Sequence, residues 1–165
     1  MNVCLIGMSG VGKSFLGKKL ADSLGYSFLD VDILLEKKYE KSVQEILNQL
    51  GDERFTYEEG QEILQLQDLT ETVIAPGGSI VYSDDAVKHL KSISKVIYLS
   101  ASGDLIKERT KPEQRGIVGL KGRSFQELYM ERIPLYEDIA DYSLDIENKD
   151  ADSIVKELES ILQSF

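Results

Sequence analysis

The sequence contains one cysteine, Cys4, and one histidine, His89. A lone cysteine excludes an intramolecular disulfide, and its place in an apolar strand predicts a buried core residue. We expect His89 on the surface of a polar helix, so catalysis must proceed without a Cys–His or Ser–His pair. No apolar run approaches the roughly 20 residues that span a bilayer, which argues against a membrane segment. Met1 and Asn2 lead directly into an apolar strand, so we expect no signal peptide and a cytoplasmic protein.

Negative charge dominates the chain, which has a formal net charge of −10. Such a protein lacks the basic surface that non-specific nucleic-acid binding requires, so we expect no nucleic-acid partner. Residues 107–132 differ, because they hold seven basic side chains against four acidic ones. This local excess favours an anionic ligand, although salt bridges on a solvated helix would account for part of it. The basic residues are Lys107, Arg109, Lys111, Arg115, Lys121, Arg123 and Arg132.

The clearest motif is the glycine-rich stretch at residues 7–14, GMSGVGKS, which fits the phosphate-binding pattern G-x-x-x-x-G-K-[S/T]. An apolar strand precedes it, and a helix with Leu16, Leu20 and Leu24 on one face follows. Backbone N–H groups of such a turn surround phosphate oxygens, and the positive end of the helix adds to the attraction. A glycine-rich turn without a ligand is the alternative, but the strand–loop–helix context favours a nucleoside triphosphate.

Two side chains at the end of this motif carry its chemistry. Lys13 is expected to reach the β- and γ-phosphates of ATP, and the Ser14 hydroxyl is expected to bind Mg²⁺. The nucleotide-binding residues predicted from the motif and its continuation are Gly10, Val11, Gly12, Lys13, Ser14 and Phe15.

Short apolar strands alternate with helical stretches, which predicts an α/β fold with a parallel sheet covered by helices on both faces. The length of 165 residues predicts a single domain, residues 1–165. Capping boxes are predicted at Ser42 and Ser124, and Ser83 is expected to cap a further helix. The predicted strands are 3–6, 27–29, 72–75, 96–99 and 142–146, and the predicted helices are 13–24, 32–50 in two pieces, 53–67, 83–92, 102–110, 124–139 and 151–163.

Parallel sheets bind ligands at the carboxyl ends of their strands, so residues that follow each strand are candidates for the site. Asp30 and Asp32 follow the second strand, where one could bind Mg²⁺ through water and the other could accept or orient a hydroxyl proton. Capping of the next helix is the alternative role for this pair. Gly77 and Gly78 follow the third strand and permit close approach of the backbone to a ligand, unless they form an ordinary tight turn.

Two further features carry suitable side chains. The glycine-rich, basic stretch 111–123 has no clear periodicity, which indicates a mobile lid over phosphates, with a plain solvent loop as the alternative. Arg132 shortly precedes Pro134, so we expect it at a proline-bounded turn that presents its guanidinium to a carboxylate or phosphate.

Along nearly its whole length the chain resembles the shikimate kinase family. The resemblance implies a single-domain, three-layer α/β/α fold of the nucleoside-monophosphate-kinase type, with five parallel strands and a mobile lid. It implies transfer of the γ-phosphate of ATP to the 3-hydroxyl of shikimate, a step of aromatic amino acid biosynthesis, and we expect a monomer. The motifs that carry it are the phosphate loop 7–14, Asp30-x-Asp32, Gly77-Gly78, Arg115 after a short basic spacer, and Arg132-x-Pro134-Leu135-Tyr136 with Ala140-Asp141.

The resemblance implies roles for five residues around the nucleotide. Lys13 would bind the phosphates and stabilise charge on the transferred group. Ser14 would bind Mg²⁺, and Asp30 would support the metal through water. Arg109 would stack against adenine, and Arg115 would close with the lid onto the transferred phosphoryl group.

The acceptor site implied by the resemblance lies between the lid and the substrate-binding helices, residues 32–67. Asp32 would hold the acceptor hydroxyl, and Gly77 and Gly78 would line the pocket. Arg132 would pair with the substrate carboxylate.

The chain departs from the family in this acceptor half. The family usually shows F-R-x-x-E after the second strand, with the arginine as a second clamp on the substrate carboxylate, but here Thr56 stands in its place. Arg54 is shifted by two residues, which rotates it about 200° around a helix. Ser79 replaces the third glycine of G-G-G, and residues 115–118 read RGIV where the family has R-P-L-L. Loss of one charge-assisted hydrogen bond costs about 1.5–3 kcal/mol, so this half of the site is weakened.

Two alternatives follow. A kinase of the same fold could phosphorylate a different hydroxy acid or a polyol, in a pocket reshaped around Thr56 and Ser79. A GTPase-like switch is disfavoured, because residues 148–151 lack the final aspartate of N-K-x-D and the only D-x-x-G, residues 22–25, falls inside the first predicted helix.

Overall fold

The computed structural model describes residues 1–112 and 116–165. Five strands form one parallel sheet in the order β2-β3-β1-β4-β5, and helices alternate with the strands along the chain. This confirms the predicted α/β fold with five parallel strands. The strands are β1 Val3–Ile6, β2 Ser27–Asp30, β3 Thr72–Ala75, β4 Lys95–Ser100 and β5 Tyr142–Asp145.

The helices of the described residues connect these strands, as the apolar periodicity predicts. Their ends agree with the predicted ends to within one to three residues, apart from a join within the second helical region. They are α1 Lys13–Leu24, α2 Val31–Tyr39, α3 Val43–Leu64, α4 Asp84–Ile93, α5 Gly103–Thr110, α6 Phe125–Ile139 and α7 Ala151–Leu162, with a 3₁₀-helix at Gly78–Tyr82.

The join lies at Gly51, where α3 has a non-helical residue with φ 74° and ψ 170°. Two predicted helical pieces therefore run as one element with a local break, which glycine permits because it has no Cβ. Both predicted capping boxes are confirmed, at Ser42 before α3 and at Ser124 before α6. Ser83 precedes α4 as predicted, but its side chain makes no capping hydrogen bond.

The prediction of a proline-bounded turn at Arg132 is wrong. Arg132 lies within α6, and Pro134 lies inside the same helix. Leu128, Arg132 and Tyr136 recur every four residues and are all fully buried. The helix continues through Pro134 because packing of this face outweighs the loss of one backbone N–H donor.

Two clusters of buried side chains make the core. The larger one surrounds β1, whose four residues are all buried, including Cys4 as predicted. The smaller cluster joins α2 and α3 to Val118, which lies in residues 116–123, the second of the two described parts of the predicted lid. We call these residues the lid segment. Its contact with the smaller cluster places it against the helices that the resemblance assigns to substrate binding.

Within the residues that the structure describes, no helix has the length and apolar character needed to cross a membrane.

Candidate active site

The phosphate loop connects the end of β1 to the start of α1, as its sequence predicts. Gly10 has a left-handed φ of 85°, and a Cβ at this position would lie 1.9 Å from the Oγ1 atom of Thr110. The Thr110 hydroxyl lies 2.8 Å from the backbone oxygen of Ser9. The end of α5 therefore holds the loop in place, a role for Thr110 that no sequence motif indicated.

Lys13 folds back over the phosphate loop. Its Nζ atom donates hydrogen bonds to the backbone oxygens of Gly7, at 2.8 Å, and Met8, at 3.1 Å. The side chain is buried. The ammonium group is thus held at the turn where the sequence predicts phosphate binding.

The two residues predicted to bind metal lie together. The Ser14 hydroxyl donates a hydrogen bond of 2.5 Å to Oδ2 of Asp30. Oδ1 of Asp30 accepts from the backbone N–H of Asp32 at 3.0 Å, so Asp30 also caps α2, as the alternative interpretation held. The capping role of Asp30 is thus observed, and its role in binding Mg²⁺ stays a prediction, with Oδ2 as the oxygen that faces Ser14.

A hydroxyl and a carboxylate are oxygen ligands of the kind that Mg²⁺ takes. Among residues 1–112 and 116–165, no group of three or more His, Cys, Asp or Glu side chains could hold a metal. Sparse protein ligation is typical of Mg²⁺, which is usually bound by one or two protein side chains together with substrate phosphates and water. Ser14 and Asp30 therefore fit a magnesium ion that arrives with ATP.

The other residues predicted to bind the nucleotide differ in how exposed their side chains are. Phe15 is 61% exposed, and the side chain of Val11 is fully buried, so only the backbone of Val11 can face a nucleotide. Nη1 of Arg109 donates to the backbone oxygen of Val11 at 3.4 Å, which places the exposed arginine beside the loop. Arg115 lies outside the described residues.

The candidate acceptor pocket is a cavity of about 30 Å³ beside the phosphate loop, room for about one water molecule. The lid segment closes over it with Ile117 and Val118. The predicted site residues that line it are Asp32, Gly77, Gly78 and Arg132, together with Ser9, Ser79, Val43, Leu47, Phe55 and Gly116.

Gly77 and Gly78 permit the close contacts of this pocket. A Cβ on Gly77 would lie 2.3 Å from Oε1 of Glu59. A Cβ on Gly78 would lie 3.1 Å from the backbone N of Ser9 and 3.3 Å from Nη1 of Arg132. Glycine is needed here because the phosphate loop and two charged side chains approach the backbone directly.

Arg132 lines the same cavity and contacts the lid segment. Its Nη2 atom donates to the backbone oxygen of Val118 at 2.6 Å, and its guanidinium lies 5.2 Å from the ring centroid of Tyr82. Tyr136, one turn further along α6, donates from its hydroxyl to the backbone oxygen of Gly78 at 2.6 Å. Burial raises the pKa of the Tyr136 hydroxyl, so it stays a neutral donor.

Comparison with known proteins decides the family. The family model for shikimate kinase matches residues 9–163. A shikimate kinase from Thermodesulfovibrio yellowstonii is 35% identical over 97% of this chain and 96% of its own length, and one from Alkaliphilus oremlandii is 33% identical over 95% and 96%. The chain belongs to the shikimate kinase family.

The solved structure of a shikimate kinase from Acinetobacter baumannii in complex with shikimate superimposes with a TM-score of 0.90, at 26% identity, over 99% of this chain and 93% of that one. Membership in the shikimate kinase family confirms the predicted enzyme class, an ATP-dependent phosphotransferase. It also removes the GTPase-like alternative.

Arg54 does not replace the arginine that shikimate kinases usually carry at position 56. Its Nη2 atom pairs with Oε1 of Glu58 at 2.5 Å, and its guanidinium lies 4.8 Å from the ring centroid of Tyr57. Lys38, on the neighbouring helix, pairs with Glu58 at 3.0 Å. Both cations are therefore paired with Glu58, a buried carboxylate of α3.

Glu59 is the buried carboxyl that completes the family's F-R-x-x-E pattern in this shikimate kinase. Its Oε2 atom accepts a hydrogen bond of 2.6 Å from the Ser79 hydroxyl, and its side chain is fully buried. Burial, followed by the charge of Asp32, raises the pKa of Glu59 to about 7. Sequence reasoning gave Glu59 no role, although its place in that pattern was a usable signal.

Proposed function

We propose that this chain transfers the γ-phosphate of ATP to the 3-hydroxyl of shikimate. The observation that carries the proposal is the position of Gly78. A Cβ at this position would lie 3.1 Å from the backbone N of Ser9 in the phosphate loop and 3.3 Å from Nη1 of Arg132, so the turn lies between the two. A hydroxylated carboxylate bound at this turn would have its acid group near Arg132 and its ring beside the phosphates.

On the nucleotide side, Lys13 would leave the carbonyls of Gly7 and Met8 to bind the phosphates of ATP. Ser14 and Asp30 would hold Mg²⁺, which neutralises charge on the phosphates when it is bound. Phosphoryl transfer needs little covalent help from a protein, so positioning and charge neutralisation by Lys13 and Arg115 would supply most of the rate.

On the acceptor side, Asp32 would accept a hydrogen bond from the reacting hydroxyl and orient it towards the phosphate. Asp32 lies in the first turn of α2, directly after the strand that carries Asp30. Arg132 would exchange the carbonyl of Val118 for the substrate carboxylate, which is the stronger acceptor because it is charged. Closure of the lid segment would then exclude water from the reaction.

A coupled assay of ADP release tests this function with a panel of acceptors. The panel contains shikimate, an analogue without the carboxylate, other hydroxy acids and a polyol. We expect turnover with shikimate and strongly reduced turnover without its carboxylate. The alternative acceptor is a different hydroxy acid or a polyol, which the loss of the usual arginine at Thr56 makes a specific candidate. It would be favoured if shikimate gave no turnover at millimolar concentration while another hydroxyl compound did.

Two further properties stay predictions, a monomeric state and a cytoplasmic location. Sedimentation velocity in the presence and absence of ATP measures the first, and fractionation of cells that express the protein measures the second.

A further inference from the structure

The one cation of helix α3, Arg54, pairs with Glu58, so the neighbouring buried carboxyl Glu59 has no cation beside it on its own helix. Positions 56 and 59 are three residues apart, so their side chains are neighbours on one helix face. An arginine at position 56 would be a natural counter-ion for Glu59, but Thr56 has no charge. The departure from the family pattern therefore changes the surroundings of Glu59 as well as the substrate clamp.

The groups nearest to Glu59 are polar or negative. Ser79 donates to Oε2 at 2.6 Å, and the backbone N–H of Gly77 faces the carboxyl. Within the described part of the chain, Oε1 has no partner that meets ordinary hydrogen-bond geometry. Oε1 and Oδ1 of Asp32 approach the same point, 2.3 Å and 3.5 Å from where a Cβ of Gly77 would lie. Two carboxyls thus meet at one turn of the pocket wall.

The cations around this turn compensate the charge of Glu59 only in part. Lys13 acts on Glu59 from the phosphate loop, but its effect on the pKa is smaller than that of burial and of Asp32. Arg132 contacts the next residue along the turn, Gly78, and is bound to the lid segment. Two further cations, Lys38 of α2 and Arg54 of α3, are paired with Glu58.

We propose that Glu59 is a specificity-determining residue of the acceptor site. When the carboxylate substrate binds, Glu59 carries a proton and is therefore neutral. The loss of its negative charge compensates in part for the positive charge of the missing guanidinium. Removal of one negative charge from the pocket wall changes the local field in the same direction as addition of a cation. Ser79 positions this carboxyl through its hydrogen bond.

The inference rests on the proposed function, because shikimate supplies the anion. An ordinary carboxylate stays ionised above about pH 5, so only the enzyme's group titrates near neutrality. As pH rises through the pKa of Glu59, its negative charge should weaken binding of shikimate. Conversely, the bound anion favours the protonated form, so binding near pH 7.5 should take up protons from the buffer.

Calorimetry of shikimate binding, without nucleotide, tests this directly. Titrations in two buffers of different ionisation enthalpy give the number of protons taken up. We expect proton uptake near pH 7.5, and affinity that falls about threefold to tenfold between pH 6 and 8.5. Glu59→Gln should abolish the uptake and flatten the profile, and at pH 8.5 it should bind shikimate more tightly than the parent protein.

Glu58→Gln is the matched control, since it removes a carboxylate one residue away that is paired with Lys38 and Arg54, and it should keep the proton uptake. Ser79→Ala removes a hydrogen bond that favours the ionised form, so it should move the uptake to higher pH. A merely structural role for either residue would weaken binding at every pH without these shifts.

A parent protein that phosphorylates shikimate but binds it without proton uptake would overturn this inference alone. So would proton uptake that persists in Glu59→Gln. If the parent neither binds nor phosphorylates shikimate, the proposed function itself fails. The number of protons that the parent protein takes up on binding shikimate is measured without any variant. The inference can therefore be tested even if Glu59→Gln does not fold.

Discussion

The Nη2 atom of Arg132 donates a hydrogen bond of 2.6 Å to the backbone oxygen of Val118. The guanidinium is fully buried, and its Nε atom also contacts the Tyr82 hydroxyl at 3.3 Å. The lid segment therefore supplies an acceptor to the proposed carboxylate clamp. A substrate carboxylate has to displace this carbonyl, which couples occupancy of the pocket to the position of the lid segment.

Arg132→Lys should raise KM for shikimate about 10- to 150-fold, because a lysine cannot reproduce the planar fork that binds a carboxylate through two hydrogen bonds. KM for ATP should change little. Steady-state kinetics in the ADP-release assay measure both constants. Arg123→Lys is the control, since Arg123 pairs with Glu131 at the surface. Equal increases in both KM values would argue against a clamp that is specific for the acid.

Thr56→Arg should lower KM for shikimate at neutral pH, because it restores a second cation to the acceptor site. The gain in affinity should be about tenfold. The new cation should also lower the pKa of Glu59 and so remove the pH dependence of binding near neutrality. Gln61→Arg, on another face of α3, controls for the added charge. An unchanged KM in Thr56→Arg would show that this position does not reach the acid.

Arg115→Ala should reduce turnover by about three orders of magnitude, with a much smaller effect on affinity for ATP. The reason is that an arginine on the transferred phosphoryl group acts mainly in the transition state. Single-turnover rates and nucleotide binding, measured separately, distinguish the two effects. Lys121→Ala removes a different cation from the lid segment and serves as the reference. Undiminished turnover would remove Arg115 from the mechanism.

Tyr136→Phe should lower the free energy of unfolding by about 1–3 kcal/mol, because the carbonyl of Gly78 would be left buried without its donor. Urea unfolding followed by circular dichroism measures the change. Tyr142→Phe is the comparison, since Tyr142 is 46% exposed and its hydroxyl should matter by less than about 0.5 kcal/mol. Similar decreases in the free energy of unfolding of the two variants would show that the buried hydrogen bond contributes no more to stability than an exposed hydroxyl.

The sequence predicts the fold and the phosphate half of the site because their signals are local. The residues of the phosphate loop, Ser14 among them, are consecutive, and Asp30 lies at a strand end that periodicity identifies. The acceptor half is harder to predict because it depends on packing between distant segments. Glu59 and Ser79 are 20 residues apart in sequence, yet their side chains lie 2.6 Å apart.

Arg132 illustrates a second limit. Its residue type and neighbours predicted a site residue, but Pro134 favoured a turn by local rules. The helix persists because Leu128 and Tyr136, on either side along the same face, are fully buried in the larger core cluster. The apolar pattern predicts a helix over residues 124–139, so two local signals disagree, and the packing decides between them.

Because β1 lies between β3 and β4, with β2 beyond β3, the phosphate loop, the glycine turn and the Asp30 carboxylate extend from three adjacent strands. Neighbouring strands are about 4.8 Å apart, a distance that backbone hydrogen bonds determine and side-chain substitutions barely alter. The separation between phosphate donor and alcohol acceptor is thus a property of the sheet. Evolution can therefore exchange the residues that recognise the acceptor, as at positions 56 and 79, without moving the reacting atoms out of line.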